Sequence, residues 1–262
     1  MKRGFATLGG ALVALSVNAQ TDAPLMPASQ GGPPARIQAE VAAESSRLSN
    51  GSPDWRTLSL RIAHKRSARD LTELTLLDSS RFGLNDQQIG ALVAAPVTDR
   101  LTATFAAQAS PSHRVLARHG ADVNLQYEFA LAWLLYTGAG FRRYDDASVT
   151  QASVMLEHYF SSFSAAAAWR PVRALGVSAS SAELRGAWYY GEARSLALVL
   201  SRGQEAATVA ASRVEIADVR SLALFGRHQI DPRWSLSYAL GRTRQGNFYT
   251  LNSIRLGAQY IF

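Results

Sequence analysis

Ser253-Ile254-Arg255-Leu256-Gly257-Ala258-Gln259-Tyr260-Ile261-Phe262 decides the fold class. Ile254, Leu256, Ala258, Tyr260 and Phe262 fall on one face, and Ser253, Arg255, Gly257 and Gln259 on the other. That is the period of a β-strand with one apolar and one polar side. In a soluble sheet, such an apolar edge would invite aggregation. In a closed transmembrane barrel it would be sealed against the first strand. The reading is a closing barrel strand, with Phe262, Tyr260, Ala258 and Leu256 forming the lipid-facing signal that barrel-assembly machinery would recognise.

The other end supports export. Lys2 and Arg3 precede an uncharged run, Gly4 to Thr21, whose apolar heart is Phe5 to Val17, and Val17-Asn18-Ala19 supplies compact residues for cleavage. This is the layout of a secretory signal, and the heart is shorter than the roughly 20 residues of a membrane helix. Residues 1–19 are read as a signal peptide, cleaved before Gln20. Residues 20–35 are rich in Ala, Pro, Gly and Ser and read as a flexible periplasmic leader. Residues 36–262 are read as the barrel, in the outer membrane of a Gram-negative bacterium.

Between these ends the alternation recurs. Val123, Leu125, Tyr127 and Phe129 oppose Asp122, Asn124, Gln126 and Glu128, and Trp234, Leu236, Tyr238 and Leu240 oppose Ser235, Ser237, Ala239 and Gly241. Candidate strands begin near Arg36, Trp55, Leu71, Asn85, Arg100, Gly120, Ala132, Ser148, Phe163, Ser181, Arg194, Glu215, Arg233 and Phe248. That predicts an all-β antiparallel barrel of fourteen strands, or twelve if the first pair is not part of the wall. Short turns are expected at 96–99, 161–162 and 230–232 on the periplasmic side. Longer extracellular loops are expected at Ser110 to His119, Pro171 to Ser180 and Gly203 to Arg213. Later uncharged runs such as Phe129 to Phe141 are too short to cross as helices.

The formal charge is +7, and the only lysines are Lys2 and Lys65. A basic soluble protein would suggest nucleic acid, but the signal peptide argues against that partner. In a barrel, arginine pairs with carboxylates in the lumen or faces phosphates of lipopolysaccharide at the rim. By alternation, Arg61, Glu73, Glu128, Arg142, Glu157, Arg185 and Arg255 line the lumen, with Asn124, Gln126 and Gln259. The expectation is that these charges pair across the bore and restrict it, Glu128 prominently; the alternative is an open bore whose charged lining sets selectivity.

Second-half stretches carry a family resemblance: GAGFRRYDDASVTQASVMLEHYF at 138–160, WYYGE at 188–192 and WSLSYALGRTRQGNFYTLNSIRLGAQYIF at 234–262. These resemble the YaiO family of outer-membrane barrel proteins, with most of the chain from about Trp55 compatible. The resemblance implies an outer-membrane address and an association with envelope polysaccharide, and brings no catalytic site.

The chemistry of the chain supports a non-enzyme. No cysteine is present, and no His-Glu-x-x-His, calcium-loop or phosphate-cradling pattern occurs. No cofactor or metal site is expected. The enzymatic alternative is an acyl hydrolase at the rim, with Ser112 activated by His113 or His119 in a loop that also carries Arg114 and Arg118. That loop reads more simply as a solvated segment facing anionic sugar, because no orienting third group can be placed. His158 belongs at the lipid interface, and His64 and His228 at periplasmic strand ends. Gly138 and Gly140 would relieve crowding on one barrel face. A small channel, an accessory to polysaccharide transport, and a structural or adhesion barrel remain open, with a small solute or polysaccharide as the possible cargo.

Overall fold

A computed structural model describes residues 36–145, 147–191, 194–210 and 213–262. The expected signal peptide and leader lie outside the described residues. Fourteen strands form one closed antiparallel barrel. They are β1 (Arg36–Leu48), β2 (Trp55–Lys65), β3 (Leu71–Arg81), β4 (Leu84–Pro96), β5 (Leu101–Ala109), β6 (His119–Ala130), β7 (Trp133–Arg143), β8 (Ser148–Phe160), β9 (Phe163–Ala174), β10 (Val177–Tyr189), β11 (Ser195–Ala210), β12 (Arg213–Gln229), β13 (Trp234–Gln245) and β14 (Tyr249–Ile261). Each strand pairs with its sequence neighbours, and β14 closes on β1 from Gln38↔Ile261 to Leu48↔Leu251. The first pair is therefore part of the wall, and the twelve-strand alternative falls. No helix among the described residues is long and apolar enough to cross a membrane; the crossing is made by strands, each hydrogen-bonded to a neighbour on both sides around the closed wall.

Two of the three expected long loops are not loops. Pro171 to Ser180 is the end of β9, a two-residue turn and the start of β10. At that turn Leu175 (φ 52°) and Gly176 (φ 76°) both take left-handed backbone, which matches the twist of a tight hairpin. Gly203 to Arg213 is mostly strand, because β11 runs on to Ala210. Of the three, Ser110 to Arg118 is a long connection. It opens at the rim away from Arg36 and Phe262, called here the distal rim; the other is the terminal rim.

The outward face is an apolar belt with different edges. Leu58, Leu60, Ile62, Leu74, Leu198, Leu200 and Leu256 are among its exposed side chains. At the terminal rim, aromatic rings pass contacts from strand to strand. Trp133 stacks on His158 at 4.1 Å, Phe160 meets Phe163 and Phe163 meets Trp188. Trp188 reaches Tyr190 at 4.6 Å, and Trp234, Tyr260 and Phe262 form a second run. At the distal rim the belt ends instead on exposed arginines: Arg47, Arg56, Arg173, Arg202, Arg220, Arg242 and Arg244.

Candidate functional site

Inward side chains form a polar lining in which Glu40 takes three donors. Its carboxylate accepts from Arg61 Nη2 (2.5 Å) on β2, and from Arg255 Nη2 (3.3 Å) and Ser237 Oγ (3.0 Å) on β14 and β13. Arg61 Nη1 also donates to Glu73 Oε2 at 3.2 Å on β3. Arg255, Glu40, Arg61 and Glu73 thus lace four consecutive strands across the seam where the barrel closes. Beside them Gln259 Nε2 donates to Gln38 Oε1 at 2.6 Å. A side chain at Gly257 would sit 2.8 Å from Glu40 Oε1, so glycine there makes room for the carboxylate.

Two further ion pairs follow the same rule. Arg142 Nη2 donates to both oxygens of Asp122 (3.3 and 3.1 Å), and Gln151 Nε2 joins Asp122 Oδ1 at 3.2 Å. Asn124 and Asp122 occupy the space that side chains at Gly138 and Gly140 would need. Arg170 forks onto Glu183 at 2.5 and 3.2 Å.

These ion pairs join neighbouring strands. None of these pairs is the expected pairing across the bore, because partners one strand apart are already within reach. Glu128 faces inward on β6 but has no ion-pair partner among the described residues. Glu157 is fully buried and accepts from Tyr136 OH at 3.0 Å, not from arginine. Arg185 borders a small cavity with Arg227, Arg255, Tyr189, Ser195 and Ser237, and its buried Nε has no hydrogen-bond partner.

Toward the distal mouth the lining turns apolar. Leu48, Trp55 and Leu251 cluster there with Phe82 and Tyr249, and Arg81 lies over the Trp55 ring at 5.0 Å. Opposite, Ala117 from the long loop packs with Tyr144, Val149 and Ala174. The loop is fixed by Asp86 of β4, whose side chain is fully buried. Asp86 accepts from the Val115 and Leu116 backbone N–H groups (2.6 and 2.9 Å) and from Arg114 Nε (3.4 Å). Arg114 also donates to the Asn85 carbonyl. A carboxylate buried against two N–H groups and a guanidinium is a strong local clamp, and it folds the loop over the mouth.

Within this loop Ser112 Oγ accepts the Gln87 N–H at 3.3 Å, and His113 Nε2 meets Asp145 Oδ1 at 2.8 Å. Among the described residues the serine is not bonded to a histidine. His119 lies near Phe141 on the outward face. His158 is at the lipid-facing rim, its Nδ1 3.2 Å from the Ala132 carbonyl oxygen, and His64 and His228 sit at terminal-rim strand ends. No group of potential metal ligands occurs among the described residues.

Sequence reasoning missed Glu40 and Asp86. Glu40 was within reach, since it alternates with Val41 and Ala43 in β1. Asp86 was not, because its partners lie 29 and 30 residues away in a segment without periodicity.

A closed, apolar-belted, fourteen-stranded barrel with a polar interior is an outer-membrane β-barrel of porin-like type. Its strands superpose on Omp33 of Acinetobacter baumannii with a TM-score of 0.53 at 9% identity, covering 87% of this chain and 99% of that one. They superpose on OmpF of Salmonella typhi, solved with daunomycin, with a TM-score of 0.50 at 8% identity, covering 86% and 97%. These likenesses concern the fold. The YaiO membrane beta barrel domain matches residues 37–206, and the chain belongs to that family. The match starts earlier than the resemblance at Trp55 and takes in β1 to most of β11, leaving the resembling 234–262 stretch beyond it. No curated protein matches the chain in sequence.

Proposed function

We propose that this barrel is a non-enzymatic, narrow channel for small solutes, its outer mouth restricted by the Ser110–Arg118 loop. One observation carries the reading: the buried Asp86 carboxylate clamps that loop over the mouth. Seam ion pairs flatten long side chains against the wall and hold the lining rigid. Outer-membrane barrels carry their longer loops outside, so the distal rim faces the exterior and the terminal rim the periplasm. Leu256, Ala258 and Tyr260, outward on β14, and Phe262 just after it serve as the signal that assembly machinery reads. The acyl-hydrolase alternative is weaker, since the Ser112 hydroxyl is engaged by Gln87 and His113 by Asp145.

Single-channel conductance in planar bilayers tests this. Wild type should conduct weakly, and Asp86→Ala should conduct several-fold more with flickering openings, while heat-modifiable mobility stays that of a folded barrel. Glu128→Ala, which breaks no ion pair, should leave conductance near wild type. Equal conductance of wild type and folded Asp86→Ala would overturn the reading.

A further inference from the structure

The outward arginines of the distal rim are not scattered. Arg202 on β11 is directly opposite Arg220 on β12, and Arg220 is directly opposite Arg244 on β13. Three guanidinium groups therefore stand in one row across three adjacent strands, spanning about 10 Å at ordinary strand spacing. All three are exposed. Like charges directly opposite one another destabilise a sheet, so the row needs compensating anions.

The described residues do not provide them. Among the described residues no carboxylate lies within ion-pair distance of Arg202, Arg220 or Arg244. Asp218, two residues from Arg220 on the same face, reaches none of the three. Arg244 Nε is only 3.4 Å from the Gly246 carbonyl oxygen of its own turn. The row stands one step beyond the apolar belt, with Leu200 before Arg202, Leu222 after Arg220 and Leu240 before the Arg242–Arg244 pair. That is head-group depth, where the occupant must have acyl chains against the leucines and anionic oxygens at the guanidinium forks.

We infer that Arg202, Arg220 and Arg244 form a binding site for the phosphorylated head group of an outer-leaflet glycolipid. Arginine forks match phosphate oxygens two at a time, and a head group with more than one phosphate can bridge the row. The site rests on the reading that the distal rim faces outward, and it explains why like charges are tolerated side by side.

The test uses the full-length barrel purified from outer membranes, with bound lipid A counted by native mass spectrometry after detergent exchange. Wild type should retain it. The triple variant Arg202→Gln/Arg220→Gln/Arg244→Gln should retain about tenfold less, and Arg→Lys at the same positions should fall between, since lysine keeps the charge but loses the fork. Arg173→Gln, on β9 away from the row, should behave as wild type and controls for folding. Rebinding should follow for bisphosphorylated lipid A and fail for its dephosphorylated form. Equal retention by the triple variant, or equal rebinding of dephosphorylated lipid A or of phosphatidylglycerol, would overturn the site. Orientation is checked separately: Ser112→Cys, in a chain without cysteine, should react with an impermeant maleimide on intact cells. Failure there refutes the outward assignment, whereas normal labelling with unchanged lipid retention refutes only the site.

Discussion

The two rims of this barrel solve the same boundary problem with different chemistry. The terminal rim closes its apolar belt with rings in contact, Phe129, Trp133, His158, Phe160, Phe163 and Trp188. The distal rim closes it with arginine. Aromatic rings settle at an interface because one part is apolar and the other tolerates water. Arginine settles there because its stem lies on leucine while its fork meets phosphate. A second contrast lies within the arginines themselves: four that face inward, Arg61, Arg142, Arg170 and Arg255, are answered by carboxylates of this chain, whereas the Arg202–Arg220–Arg244 row meets none among the described residues.

Five substitutions sharpen these contrasts. The largest effect is expected inside. Glu40 is 3% exposed, and Glu40→Ala would leave buried Arg255 and half-buried Arg61 without their shared partner, costing about 3–5 kcal/mol of folding stability. Denaturant unfolding in lipid vesicles measures this, and a loss under 1 kcal/mol would mean that water already screens the seam. Next comes the position of charge along the belt. Leu256→Arg puts a guanidinium near mid-membrane and should cost about 2–4 kcal/mol in the same assay, while Arg242→Leu at the distal edge should change little.

A smaller effect is expected at the aromatic rim. Trp133→Ala removes the stack on His158 and the 6.2 Å contact with Phe129, worth about 1 kcal/mol per ring pair. Its unfolding midpoint should shift modestly in phospholipid vesicles, where the rings contribute and the distal arginines find no phosphoglycolipid. The smallest effect is at the Arg66–Asp70 turn between β2 and β3. The Arg66 fork, at 2.8 and 3.0 Å, holds the Asp70 carboxyl below its ordinary range. A lowered folded value means the pair contributes at neutral pH and is lost as pH falls through that value. The wild-type advantage over Asp70→Asn should be barely measurable at pH 7 and shrink further below about pH 4. A growing advantage in acid would contradict the assignment.

The wall was legible from the sequence because each strand repeats the same two-residue rule, so candidate starts at Trp55, Leu71, Ser148 and Phe163 coincide with observed ones. Connections were harder. Leu175-Gly176 and Phe82-Gly83 turn in two residues with left-handed backbone at a large apolar residue, which turn-residue preferences do not advertise. Pairing was harder still. Alternation tells which side a charge faces but not which neighbour it meets, so Glu128 was overrated and Glu40 overlooked. The arginine row left a readable trace in Leu200-x-Arg202, Arg220-x-Leu222 and Leu240-x-Arg242-x-Arg244, but aligning those residues needed the register.

The seam at Glu40 also has a meaning in time. Its partner Arg255 lies 215 residues further along the chain, and synthesis delivers the two at opposite ends of the process. Until β14 arrives, β1 offers an open hydrogen-bonding edge and an acid whose second arginine does not yet exist. Contacts this distant in sequence form late, after a large loop has been closed. The last strand is therefore the moment at which an open sheet becomes a ring, and whatever shepherds this chain into the membrane must hold the first edge until then.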